Sequence, residues 1–234
     1  MDSNFVTKRL LRKQNEIWDE FDSANPSELV HYTCPNGFRS IIESGEIWCT
    51  DIKDVNDPLE GDYGLAIIKS VVERSRKRLD EEFAETMMQS PSLFGLKYSW
   101  SIYVACFSAG EQPYMWKNYA CEHTGFAIAF DHDRIIGGAM GGKKYALFRM
   151  LYDRPTQEQR IEATLNHAIA MELTMNLLPA ERRRFWMERV AVALIVCASR
   201  FKAPKWSREE EFRISVTDPP DIFKFDSEEG RESV

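Results

Sequence analysis

Apolar and polar positions alternate along residues 206–216 with the two-residue period of a β-strand. One face of this predicted strand is mostly apolar and holds Glu210, Phe212, Ile214 and Val216. The other face is charged and holds Glu209, Glu211 and Arg213. Burying charged groups beside a sheet costs hydration free energy, so such groups are expected to be paired with opposite charges or to serve a chemical function. Two other interpretations stay open: a helix starting at the S-x-x-E pattern of residues 207–210, and a solvated run of surface charges.

Apolar runs elsewhere in the chain predict the rest of a sheet and the helices that flank it. Strands are expected at residues 29–33, 46–50, 101–108, 125–130 and 144–152. Helices are expected at residues 35–45 and 63–85, after Pro113, and across 156–200 with a break near 178–179. Because these elements do not alternate as regular βαβ units, we expect an α+β fold with a mixed or antiparallel central sheet and flanking helices.

The length of 234 residues and the 44% hydrophobic content suit one large domain with a proper core. We expect an N-terminal amphipathic helix within residues 1–27 that packs on this domain. A single α+β domain is expected over residues 28–225. The polar, acidic residues 226–234 are expected to form a disordered tail.

Charge and cysteine usage narrow the class of protein. A net charge of -7 argues against a protein that grips nucleic acid through bulk positive charge. The five cysteines form no C-x-x-C pair, so we expect small core residues in a reducing cytoplasm. The N-terminus lacks a signal-peptide pattern and no apolar run is long enough to span a membrane. No histidines have zinc-ligand spacing, so no metal is expected.

A series of short motifs runs from about residue 29 to residue 216. Its members are His31-Tyr32-Thr33, Glu43-Ser44-Gly45 with Trp48, Asn56-Asp57-Pro58 with Glu60, Cys106-Phe107-Ser108, Trp116 with Tyr119, Gly125 with Phe130, Tyr152-Asp153, and Glu209-x-Glu211-Phe212-Arg213. In this order the motifs resemble the DUF2971 family of bacterial proteins. The chain departs from the family at Tyr114-Met115, where Ser-Gln is frequent, and at Phe212, where Trp is frequent.

A looser resemblance links the first and last motifs to ADP-ribosyltransferases. It implies that His31 binds the adenine-side ribose of NAD, with Tyr32 and Thr33 beside it. It also implies that Trp116 or Tyr119 stacks on a ring of NAD, and core packing is the alternative for these two aromatic residues. Ser108 is a further expected NAD contact.

The same resemblance assigns the chemistry to the last strand. Glu211 would stabilise the oxocarbenium ion that forms as nicotinamide leaves, because a fixed carboxylate in a dry cleft favours that charge. Glu209 would orient the acceptor nucleophile. Arg213 would bind the pyrophosphate or form an ion pair with Glu211 or Asp57, and the two roles stay open. Asn56, Asp57 and Glu60 would close the cleft or simply turn the chain.

Three functions therefore stay open. The first is an NAD-using ADP-ribosyltransferase-like enzyme, such as a toxin or an anti-phage effector, whose acceptor is a protein, a nucleic acid or a small molecule. The second is a non-catalytic nucleotide- or partner-binding domain. The third is an NAD glycohydrolase, in which water replaces the acceptor. For the enzymes, Glu211→Gln is expected to remove activity and to leave the thermal melt close to wild type.

Overall fold

The structure is a computed structural model that describes residues 26–55, 57, 60–89, 101–138, 145–175 and 180–218. The predicted N-terminal helix and the predicted acidic tail lie outside the described residues. Within them, no helix is long and apolar enough to cross a membrane.

One antiparallel sheet forms the centre of the molecule. Its strands are β1 (Glu28–Thr33), β2 (Thr50–Asp51), β3 (Ser101–Ala109), β4 (Phe126–Asp131), β5 (Tyr145–Arg149) and β6 (Glu211–Asp218). The strand order is β4-β1-β3-β6-β5, and β2 also pairs with β3. Every pairing is antiparallel. The predicted α+β class with a central antiparallel sheet is therefore confirmed.

The sheet divides along one edge of β3, because β1 and β2 pair with different parts of that edge. Strand β1 pairs with the C-terminal end of β3, where Val30 lies opposite Ser108. Strand β2 pairs with β3 nearer the start of β3, where Thr50 lies opposite Val104. Residues 105–107 of β3 lie between these two pairings, so the sheet opens beside them.

The helices flank this sheet and pack on one another. They are α1 (Pro35–Ser44), α2 (Glu60–Ser75), α3 (Glu81–Gln89), α4 (Pro113–Tyr119), α5 (His132–Gly138), α6 (Arg154–Met175) and α7 (Ala180–Ala198). The prediction of two helices across residues 156–200 is confirmed. The prediction of one helix over residues 63–85 is wrong, because Leu79 is extended and a new helix begins at Glu81. The Asp80 carboxylate accepts a hydrogen bond from the backbone N–H of Phe83, as an N-cap does.

Helices α2, α3, α6 and α7 enclose the larger apolar core. The predicted apolar stripe of α7 lies in it, and all four of its members are buried: Trp186, Val190, Leu194 and Cys197. Helices α6 and α7 of this unit carry the chain from β5 to β6, and so their packing fixes where the segment before β6 begins.

The two faces of the sheet differ in polarity. Phe107 and Phe212 are opposite each other and belong to an apolar cluster on one face. Their neighbours Cys106 and Arg213 also lie opposite each other, and alternation places both on the other face. Helix α4 covers part of that second face through the buried Met115.

The charged stretch before β6 is not one strand. Residues Pro204–Glu209 form a 3₁₀ helix, Glu210 has a positive φ of 42°, and the strand begins at Glu211. The predicted continuous strand over 206–216 is therefore wrong in its first half, because Pro204 favours the first turn of a helix. The turn at Glu210 brings Glu209 back beside Glu211, and the predicted common face of Glu211 and Arg213 is confirmed.

Two cysteines are joined. Cys34 and Cys121 form a disulfide with a Cα–Cα distance of 5.4 Å, whereas Cys49, Cys106 and Cys197 are free. The expectation that all five cysteines are unpaired core residues is wrong for this pair. Cys34 directly follows β1 and Cys121 lies just beyond α4, so the fold joins residues that are 87 positions apart.

Candidate functional site

Four charged side chains meet on the polar face of the sheet: Lys202, Glu209, Glu211 and Arg213. All four are buried. The Lys202 ammonium lies 2.7 Å from Oε2 of Glu211 and also donates a hydrogen bond to Oε2 of Glu209. Arg213 donates from Nε to Oε1 of Glu211. Two positive and two negative groups thus compensate one another, as buried charges require.

The position of Lys202 is set by the end of the four-helix unit. Its backbone N–H donates to the carbonyl of Leu151 over 3.0 Å. The buried amide of Gln157 donates to the carbonyl oxygens of both Leu151 and Lys202, at 2.6 and 3.0 Å. Both the N–H and the carbonyl of Lys202 are thus hydrogen-bonded. These bonds fix the backbone from which the ammonium reaches the two carboxylates.

Three more polar side chains complete the cluster. The hydroxyl of Tyr119, on α4, donates a hydrogen bond to Oε1 of Glu209. The hydroxyl oxygen of Tyr152 accepts one from the backbone N–H of Glu211 over 3.0 Å. The Cys106 thiol bonds the Glu211 carboxylate from the neighbouring strand. Each carboxylate is therefore held from at least two elements.

The pKa values of the two carboxylates shift in opposite directions. Burial would raise the pKa of Glu211, but the charges of Arg213 and Lys202 outweigh it and lower that pKa to about 2. For Glu209 burial prevails over the attraction of Lys202, and its pKa is raised. Burial would lower the pKa of Lys202, but the charge of Glu211 reverses this and raises it. Glu211 is thus a fixed anion, and Glu209 is the more basic carboxylate of the two.

A cavity of about 240 Å³ opens beside this cluster, where the sheet divides between β1 and β2. Its wall from the sheet and the 3₁₀ segment contains Val104, Ala105, Cys106, Lys202, Glu209, Glu211 and Arg213. Strand β1 contributes His31 and Tyr32 to the lining, and helix α4 contributes Met115 and Tyr119. We call Trp48, Thr50, Asp54, Val55 and Trp206 the rim, and the buried Asp57 also lines the cavity.

His31 meets this cavity as a neutral ring. Its Nδ1 lies 2.9 Å from the carbonyl oxygen of Cys106, on the stretch of β3 between the two pairings. Burial lowers the pKa of His31, and the bond to Cys106 only partly offsets this. Since a carbonyl can only accept, Nδ1 carries the proton and Nε2 is the acceptor nitrogen.

The structure brings most of the predicted site residues to one cavity. Seven of them line it: His31, Tyr32, Asp57, Tyr119, Glu209, Glu211 and Arg213. Arg213 forms the predicted ion pair with Glu211. Asp57 is buried and accepts a hydrogen bond of 2.8 Å from Nε1 of Trp206, which joins the cleft loop to the 3₁₀ segment.

Three predicted contacts lie outside the lining of this cavity. Ser108 is fully buried and donates to the carbonyl of Gly110 over 2.7 Å. Trp116 donates to Glu111 and packs edge-on against the ring of Tyr32. Thr33 packs so closely on the first turn of α1 that a Cβ added at Gly37 would lie 2.2 Å from its hydroxyl oxygen. Asn56 and the side chain of Glu60 lie outside the described residues.

Sequence reasoning missed Lys202 and Trp206, and it gave Trp48 no role in the site. Lys202 stands in the run Phe201-Lys202-Ala203-Pro204, which has no strand or helix period and reads as a solvated loop. Only the 3₁₀ turn and the packing of α7 bring its ammonium to the two carboxylates. The one signal available was that two buried carboxylates need cations beyond Arg213.

Comparison with known families gives one match. A family model described as "Protein of unknown function (DUF2971)" matches residues 115–214. The chain matches the DUF2971 family over this stretch. The predicted resemblance to the DUF2971 family is thereby confirmed for the part that carries Tyr119, Lys202, Glu209, Glu211 and Arg213. Searches of curated proteins and of solved structures found no match.

Proposed function

We propose that this DUF2971 protein is an NAD-using ADP-ribosyltransferase-like enzyme. It cleaves the bond between nicotinamide and ribose and transfers ADP-ribose to an acceptor. One observation carries the proposal: His31 of β1 and Glu211 of β6, which are far apart in the sequence, line the same cavity. These are the two residues to which the resemblance to ADP-ribosyltransferases assigns the binding of NAD and the chemistry.

The charge state of Glu211 suits the proposed role. With a pKa of about 2 the carboxylate is ionised at neutral pH. A fixed anion in the wall of the cavity stabilises the positive charge that builds on the ribose as nicotinamide leaves. Lys202 and Arg213 hold this carboxylate in place, and they also offset part of its charge, so they set how much stabilisation the transition state receives.

The other residues take roles that follow from their protonation. Neutral His31 offers Nε2 as an acceptor for a ribose hydroxyl. The raised pKa of Glu209 makes it the better proton acceptor of the two carboxylates. As the acceptor nucleophile forms its bond to C1′ of the ribose, Glu209 takes the proton that this group loses, and the bond to nicotinamide breaks.

A second function has its own supporting observation. Glu211 is only 2% exposed, and hydrogen bonds from Lys202 and Arg213 occupy both of its oxygens. A carboxylate held in this way suits a site that binds a nucleotide and does not turn it over. In that case the ion pairs maintain the shape of the cavity and take no part in chemistry.

The test is to incubate the purified protein with NAD and to measure free nicotinamide. Release that requires cell lysate supports transfer, whereas release without lysate supports the glycohydrolase. Glu211→Gln should remove the release, and Glu210→Gln, a change at an exposed neighbour, is the matched control. No release in either condition, with NAD binding intact, would leave the binding domain as the function.

The proposed role as a toxin or an anti-phage effector is tested in cells. Expression of the wild-type chain in bacteria should arrest growth, and Glu211→Gln should relieve the arrest at equal protein abundance. Equal growth of cells expressing either form would count against that role and leave the enzymatic assay to stand alone.

A further inference from the structure

The side chain of Trp48 is the largest apolar group that the cavity exposes to solvent. Trp48 lines the rim of the cavity and is 84% exposed. The other lining aromatic residues are half-buried or buried. A ring of this size that stays open to water at the mouth of a cavity has most of its burial free energy still to gain.

The backbone around Trp48 is anchored on both sides. Its neighbours Ile47 and Cys49 pack against the apolar cluster on the opposite face of the sheet. Directly after them Thr50 enters β2 and pairs with Val104. Adjacent side chains in extended backbone point to opposite sides. The packing of Ile47 and Cys49 therefore directs Trp48 away from the core and toward the cavity.

The second tryptophan of the rim is already engaged. Trp206 donates from Nε1 to Asp57. The ammonium groups of Lys202 and Lys205 lie 5.4 and 5.0 Å from the centre of its ring. These cations stabilise its π-face from within the protein. Trp48 is thus the rim aromatic that is open to a ligand.

The cavity lining has no excess of positive charge. Lys202 and Arg213 are paired with Glu209 and Glu211, and Asp54 and Asp57 add two more carboxylates. A ligand recognised only by its phosphate charge would have to compete with these carboxylates. The open ring at the rim instead favours a ligand with a flat, apolar surface of its own.

We propose that Trp48 binds the ligand by stacking on a planar aromatic ring, so that the ligand is a nucleotide recognised through its base or its nicotinamide ring. This inference rests on the proposed function only in taking the cavity as the nucleotide site. Stacking between a base and an aromatic side chain tolerates different rings, because every base has a π-face. The ring-bearing part of the nucleotide then lies at the rim, and the sugar lies toward His31.

Calorimetric titration of the full chain with three probes tests the proposal. Adenosine monophosphate carries a base, nicotinamide mononucleotide carries the other ring, and ribose 5-phosphate carries neither. Trp48→Ala should raise the Kd for the ring-bearing nucleotides about 10-fold, as expected for the loss of one stack. Trp48→Phe, which keeps an aromatic face, should restore most of the affinity. The matched control is Ile42→Ala, at a 61% exposed apolar residue outside the cavity lining.

Each outcome decides the proposal. A 10-fold loss confined to one of the two ring-bearing nucleotides supports it and identifies which ring stacks on Trp48. Equal affinities for wild type and Trp48→Ala overturn it, as does an equal loss for ribose 5-phosphate or a wild-type protein that binds no ring-bearing probe. Nicotinamide release is measured separately. No release together with a Trp48-dependent Kd would defeat the enzymatic proposal alone, and release with an unchanged Kd would defeat the stacking alone.

Discussion

Glu211→Gln is expected to lower the free energy of unfolding by about 3 kcal/mol. The change removes the charge that Lys202 and Arg213 both bind and keeps the size of the side chain. Lys202 retains its bond to Glu209, whereas Arg213 loses the carboxylate to which its Nε donates. The substitution therefore leaves positive charge in a buried place where the wild-type protein is neutral.

Two independent routes give this magnitude. The pKa of Glu211 is about 2 in the folded protein against an ordinary value of 4.5. At about 1.4 kcal/mol per pH unit, the folded state stabilises the ionised carboxylate by about 3 kcal/mol. Breaking a buried ion pair by removing one partner costs about 3–5 kcal/mol in other proteins. Both figures fall below the total stability of an ordinary domain, about 5–15 kcal/mol, so the variant should still fold.

Urea unfolding followed by circular dichroism measures this difference at pH 7. Glu210→Gln is the control, because Glu210 is exposed and its carboxylate accepts a hydrogen bond from the side-chain amide of Gln112. We expect that control to change the free energy of unfolding by less than about 0.5 kcal/mol. A cycle with Lys202→Met should show a coupling of about 0.5–3 kcal/mol between positions 202 and 211.

A value for Glu211→Gln within about 0.5 kcal/mol of wild type would refute this reasoning. Such a result would mean that the ion pairs do not hold the carboxylate as the structure describes. The sequence alone led us to expect that Glu211→Gln leaves the thermal melt nearly unchanged. The buried ion pairs instead predict that the variant is less stable than wild type. Activity of the variant should therefore be compared at equal folded protein, which separates lost chemistry from lost folding.

Two more predictions concern the cross-link and acid. Reduction of the disulfide should lower the free energy of unfolding by up to about 4–5 kcal/mol, because the bond closes a loop with a sequence separation of 87. Reductant should have no effect on a Cys34→Ser/Cys121→Ser variant, and equal urea midpoints for reduced and oxidised wild type would contradict the cross-link. The contribution of Glu211 should be complete above pH 4.5 and should be lost as the pH falls toward 2, because its pKa is depressed in the folded state. The urea midpoint should thus fall less steeply for Glu211→Gln than for wild type as the pH is lowered from 6 to 4.5 and 3. Midpoints that fall equally for both proteins would show that the pKa of Glu211 is not depressed in the folded state.

The local sequence was enough to predict helix α1 and strand β3. The helix after Cys34 follows from Pro35 at its first turn, and it ends at Gly45, which has a φ of 68°. Strand β3 follows from a run of apolar and β-branched residues, and the order of motifs predicted the family over the matched stretch. Each of these features requires only interactions within one element or its caps.

The boundaries that failed depend on longer-range contacts. The helix over 63–85 breaks where Asp80 both caps α3 and accepts a hydrogen bond from Arg183 of α7. The strand over 206–216 is shortened because the chain must leave α7, turn at Pro204 and then enter the sheet beside β3. In both places the periodic pattern was present, and tertiary packing decided which residues followed it.

The sequence by itself determined an α+β chain whose last strand places Glu211 and Arg213 on one face, because alternation along a strand is a local property. Only the tertiary structure decided that Glu209 turns back beside them, that Lys202 neutralises both carboxylates, and that Trp48 and His31 meet the same cavity. These residues belong to separate segments of the chain, and the periodicity of one segment says nothing about its position relative to another. Their meeting depends on how β1 and β2 divide along the edge of β3, and that division is fixed by the packing of the whole sheet.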